Sequence, residues 1–87
     1  MSTQFNFRGG NEIEKFYIWH VTSAKYPEVK RLVKEVGGTL RHIPIKHDLG
    51  AVRIYITLTA ISWVAIAPKI KTLRESLALL HLQLERE

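Results

Sequence analysis

What most limits the fold is a helix set between two strand-like runs. Residues 24–38 read A-K-Y-P-E-V-K-R-L-V-K-E-V-G-G. Val29, Leu32, Val33 and Val36 recur at the spacing of one helical face. Pro27 suits the first turn, where its missing N–H would have no partner anyway. Gly37 suits the left-handed position that closes many helices. Lys30, Arg31 and Lys34 fall outside the apolar stripe and face solvent. The run before this helix, residues 13–21 (I-E-K-F-Y-I-W-H-V), is β-branched and aromatic, as is much of the run after it, residues 39–46. Strand, helix and strand in one sheet require a right-handed crossover.

A third strand follows at residues 51–58. Val52, Ile54, Ile56 and Leu58 share one face, and Arg53, Tyr55 and Thr57 share the other. Matching apolar with apolar across an antiparallel pair sets Ile45 opposite Val52 and Ile43 opposite Ile54. His47-Asp48-Leu49-Gly50 then forms the loop, and His42, Lys46, Arg53 and Tyr55 share the outer face. A slip by one residue would put Ile43 against Arg53. Pro44 cannot donate to a ladder, so its strand belongs at a sheet edge or a bulge. Residues 51–58 then take the centre, antiparallel to 13–21, in a split β-α-β arrangement.

In the last third, Trp63, Ile66, Ile70, Leu73, Leu77, Leu80 and Leu84 keep an unbroken heptad spacing. Pro68 lies opposite that seam. Either a kinked helix runs from about Ala60 to the end, or residues 60–66 are extended and Pro68 opens the helix. The heptad phase persists across the proline, which favours the kinked helix. Near the N-terminus, Phe5 and Phe7 alternate with polar residues, and Arg8-Gly9-Gly10-Asn11 offers turn chemistry. An N-terminal hairpin is the expectation there, with Arg8-Gly9-Gly10 a plain turn rather than a repeated RNA-binding segment.

Chemistry-bearing motifs are sparse. The chain has 87 residues and no cysteine, so neither disulfides nor thiolate-bound metal can supplement a small core. Pairing with a second copy is the common remedy, and a C2 dimer is its simplest form. His20, His42 and His47 lack zinc spacing, and neither paired carboxylates nor a nucleophile with a base stands out. No cofactor and no metal is expected, and an enzyme is disfavoured. The uncharged stretch at 54–68 is short and polar for a membrane span. The first ten residues contain no secretory-type apolar run, so a cytoplasmic location is expected.

Thirteen Lys and Arg against eight Asp and Glu give a net charge of +5, which favours anionic partners. Strand 13–21 is apolar on both sides, so an aromatic row belongs on whichever sheet face the helices leave open. Together these features define a single α+β domain over residues 1–87. It is a two-layer sandwich, with three or four antiparallel strands and two helices, the C-terminal one long and Leu-rich. The first functional expectation is non-enzymatic binding of DNA or RNA through Arg41, Lys46, Arg53 and Tyr55, with Lys30, Arg31 and Lys34 on phosphates. The second is a protein-interaction or scaffold subunit that meets itself or another protein through Leu77, Leu79, Leu80, Leu82 and Leu84 and the open sheet face.

Overall fold

The computed structural model describes residues 12–87. Its elements are β1 (Glu12–Thr22), α1 (Tyr26–Glu35), β2 (Thr39–Ile45), β3 (Asp48–Ala60), α2 (Trp63–Ala78) and β4 (Glu85–Arg86). The four strands form one antiparallel sheet in the order β2-β3-β1-β4. That is the β-α-β-β-α-β topology of ferredoxin-like sheets, and both helices lie on one side of it. The first strand and turn of the expected N-terminal hairpin lie outside the described residues.

The covered face is built by alternation. Phe16 and Ile18 of β1 stand opposite Ile56 and Ile54 of β3, with Leu58 beyond. All five are essentially inaccessible to solvent. Val29 and Val33 of α1 pack on them, as do Ile66, Ile70, Leu73 and Leu77 of α2. Fully burying one such side chain contributes about 1.5–3 kcal/mol, so this layer holds most of the fold's stability.

Both helices stop in the same way. At the end of α1, Gly37 has φ +73°, and the N–H groups of Gly37 and Gly38 donate to the carbonyls of Lys34 and Val33. This is a Schellman closure. Gly38 then passes so close to α1 and β3 that a Cβ there would lie 2.6 Å from Leu58 Cδ2. At the end of α2, His81 takes φ 61°, and the N–H groups of His81 and Leu82 donate to the carbonyls of Ala78 and Leu77. The hydrogen-bond pattern is the same, with histidine where glycine would be usual.

The C-terminal helix is therefore shorter than its heptad implies. It ends at Ala78, and the chain turns back to lay Leu84 into the core and β4 beside β1. Lys25 Nζ donates to the Leu80 carbonyl at 2.6 Å, and an Arg74 guanidinium N–H donates to the Leu84 carbonyl at 2.9 Å, holding the return. The helix begins at Trp63, with Ser62 as N-cap accepting the Ala65 N–H, so residues 60–66 are not an extended segment. Pro68 lies inside the helix on its exposed side. The carbonyl it deprives of a partner, that of Val64, belongs to a residue 82% exposed.

The β2–β3 register also differs from the apolar-matched one. His42 opposes Ile54, Leu40 opposes Ile56 and Ile43 opposes Arg53. This is the one-residue slip. Lys46 and His47 form the turn, and the ladder is irregular between Pro44 and Ile45, where Leu49, Gly50 and Ala51 are looped out of the β2 pairing. Gly50 is tied elsewhere: its carbonyl accepts the Ser23 N–H at 2.8 Å and the Ser23 hydroxyl at 3.1 Å. Ala51 pairs with Thr22. The bulge absorbs residues that strict alternation would have paired. As a result Leu40, not Ile43, packs against the core.

Candidate nucleic-acid interface

The uncovered face of the sheet is ordered in three ranks that run across the strands. The first is Thr39, Thr57 and Lys15, with Glu87 alongside through its N–H to the Lys15 carbonyl. The second is Arg41, Tyr55, Tyr17 and Glu85. The third is Ile43 and Arg53, opposed by Trp19 and His20 together, because β1 carries a bulge between Ile18 and Val21. Two residues opposing one re-aim the bulged strand. Here that sends Val21 back to the core and keeps Trp19 on the open face, 55% exposed.

Aromatic rings and cations interleave along this face. Tyr17 lies edge-on to Trp19 with centroids 5.4 Å apart, and 6.4 Å from Tyr55 at a tilt. The Arg53 guanidinium sits over the Trp19 ring at 4.0 Å, and that of Arg41 over Tyr55 at 4.9 Å. Each cation–π contact contributes about 0.5–1 kcal/mol at an exposed site and fixes a flexible arginine. Arg53 Nε is buried without a hydrogen-bond partner, alone in this among the described residues' side-chain polar atoms. An unpaired donor of that kind calls for a partner.

A depression of about 210 Å³ opens beside Tyr55. Its polar lining comes from Lys15, Thr39, Arg41, Thr57 and Glu87.

The residues expected to act together are divided by the fold. Arg41, Arg53 and Tyr55 share the open face. Lys46 falls in the β2–β3 turn. His42 lies on the other side of β2, where the Tyr26 hydroxyl meets its Nδ1 at 3.0 Å. Lys30, Arg31 and Lys34 belong to α1, across the sheet from the aromatic row, and Arg31 is engaged by Glu28 and Glu35. The hydrogen bond from Arg31 holds the Glu28 carboxyl below its ordinary range. Of the five leucines, Leu77 and Leu84 are core, Leu80 and Leu82 pack against it, and Leu79 is 83% exposed. Tyr17, Trp19, Lys15 and Glu87 complete the surface. Alternation along residues 13–21 separates Tyr17 and Trp19 from Phe16 and Ile18 but does not say which pair faces outward, and Glu87 becomes visible only once β4 is known to return.

His20 and Asp48 meet at 2.8 Å, next to the bulge. The His20 hydrogen bond, with a smaller contribution from the Gly50 N–H, holds the Asp48 carboxyl below its usual range. Among the described residues Ser23 is the serine tied to this corner, its hydroxyl donating to the Gly50 carbonyl rather than to His20, and the His20–Asp48 pair links β1 to the β2–β3 bulge. Among the described residues no three His, Asp or Glu side chains converge as metal ligands, and no helix is long and apolar enough to cross a membrane. No protein family matches the chain, and no curated protein or solved structure is significantly similar to it.

Proposed function

We propose that this protein binds single-stranded nucleic acid on its open sheet face without catalysing a reaction. The observation that carries the proposal is the Trp19–Tyr17–Tyr55 row on the two central strands, flanked by Arg53 and Arg41. Open four-stranded sheets with exposed aromatics on this pattern stack two or three unpaired bases. Stacking tolerates any base, because each has a π-face, and the neighbouring cations serve the phosphates. A duplex could not reach these rings without unstacking. Lys46 in the adjacent turn extends the positive edge, and the net charge of +5 favours the encounter.

The test is fluorescence anisotropy with short labelled DNA and RNA strands at low salt. The expected result is saturable binding, with a slope of log affinity against log salt of about −1.4 to −2.1 for two or three phosphate contacts. No binding up to roughly 100 µM, the weak end of non-specific association, overturns the proposal.

A second reading is an interaction subunit. It is supported by Ile61, Trp63 and Val64 at the start of α2, which are 80%, 52% and 82% exposed, together with Leu79. Self-association is part of that reading. Sedimentation that finds only monomer at high concentration removes it.

A further inference from the structure

We infer that the depression beside Tyr55 selects guanine within the bound strand. This rests on the proposed binding of single-stranded nucleic acid by the same face. The pocket lies between a polar rank (Thr39, Thr57, Lys15 and Glu87) and the Arg41–Tyr55 stack, so a base resting on the aromatic row has its edge over hydrogen-bonding groups.

The chemistry of the lining narrows what fits. Lys15 and Arg41 only donate, and the Glu87 carboxylate only accepts. None of the three forms a salt bridge among the described residues. A phosphate would gain from the two cations but be repelled by the carboxylate. A nucleobase is neutral, and its edge presents donors and acceptors together. Guanine answers this set most fully. Its O6 and N7 are the acceptors arginine or lysine reads in a bidentate contact, and its adjacent N1–H and N2–H₂ can both donate to one carboxylate. Adenine and cytosine offer a carboxylate one exocyclic amine, and uracil one ring N–H. The threonine hydroxyls donate or accept as required. Glu87 is placed by backbone, its N–H donating to the Lys15 carbonyl at 3.0 Å, which sets the residue in the pocket lining.

The experiment compares four six-nucleotide RNAs at fixed salt, oligouridylate and the same strand carrying one central G, A or C. Affinity is read by anisotropy for the full chain and for Glu87→Gln, an exposed position at which folding is not at risk. The G-containing strand is expected to bind at least about tenfold more tightly than the other three, the lower part of the range one bidentate base contact gives. Glu87→Gln is expected to bring that preference to within about threefold. Equal binding of all four strands overturns the guanine assignment while leaving the open face as a binding surface. So does a preference for another base, or a G preference unchanged in Glu87→Gln. If no strand binds, the functional proposal fails and the pocket assignment with it.

Discussion

The two faces of this one sheet are made from the same strands and follow different rules. On the covered face Phe16, Ile18, Ile54, Ile56 and Leu58 pack under two helices and carry no polar group. On the open face Tyr17, Trp19 and Tyr55 alternate with those residues, and arginines rather than helices lie over Trp19 and Tyr55. Apolar side chains alone do not tell the faces apart, since Ile13, Ile43 and Trp19 all belong to the open one. What separates them is company. A core face excludes charge, whereas a face that interleaves rings with cations can accept an anionic polymer with π-faced bases.

The contrast implies that stability and binding can be broken separately. The largest expected effect is on the covered side. Leu58→Ala should cost about 3 kcal/mol in urea unfolding, the usual range for a fully buried leucine, while strand affinity per folded molecule stays constant. Tyr55→Ala and Trp19→Ala should do the reverse. Each should lose about 1–2 kcal/mol of strand binding, near the value of one stacked base, with unfolding free energy changed by less than about 1 kcal/mol. If Trp19→Ala unfolds the protein as readily as Leu58→Ala, the open face is a second core and the contrast fails.

A smaller effect concerns how the covered face is closed. His81 holds a left-handed conformation that disfavours any side chain with a Cβ. His81→Gly should therefore raise thermal stability, by roughly 0.5–1 kcal/mol after glycine's own entropic cost. A loss of stability would show that the histidine ring contributes packing that offsets its backbone strain.

The least effect belongs to the corner where the faces meet. Hydrogen bonds from His20 and Gly50 lower the Asp48 carboxyl's pKa in the fold. The stability this contributes is fully present above the unfolded aspartate value, near pH 4, and is lost as pH falls through the lower folded value. Asp48→Asn should flatten that part of the stability–pH curve, lowering stability slightly at neutral pH and leaving no difference from the parent once the aspartate would be protonated. An unaltered acid limb in the variant would remove Asp48 from the account.

How much of this could be read from the sequence depended on where the backbone's special conformations fell. The first helix was legible at both ends because proline opens it and Gly37 occupies its left-handed position. The second helix ends in the same motif, but its left-handed residue is histidine, and Leu80 and Leu84 carry the heptad spacing past the break. Periodicity there continued after the helix had stopped. The β2 register was hidden for a related reason. Alternation assumes one residue against one; the bulge at Trp19–His20 violates it without a distinctive residue, and Pro44 and Gly50 mark the irregularity at 49–51 without fixing how many residues it loops out. Arg53 and Tyr55 fall on the open face in both sequence and structure because they sit on the regular part of β3. The face of His42 depends on the register, so the slip moves it to the other side of β2, and the sheet separates the α1 cations from the aromatic row although charge alone groups them with it.

The most direct test of the central claim is a backbone amide NMR titration with a short single-stranded oligonucleotide. The account predicts shifts confined to β1 and β3 around Lys15, Tyr17, Trp19, Arg53 and Tyr55 and to β2 around Arg41, with α1 and α2 unmoved. Shifts centred on Lys30 and Lys34, or on the Ile61–Val64 end of α2, or no shifts at all, would contradict it.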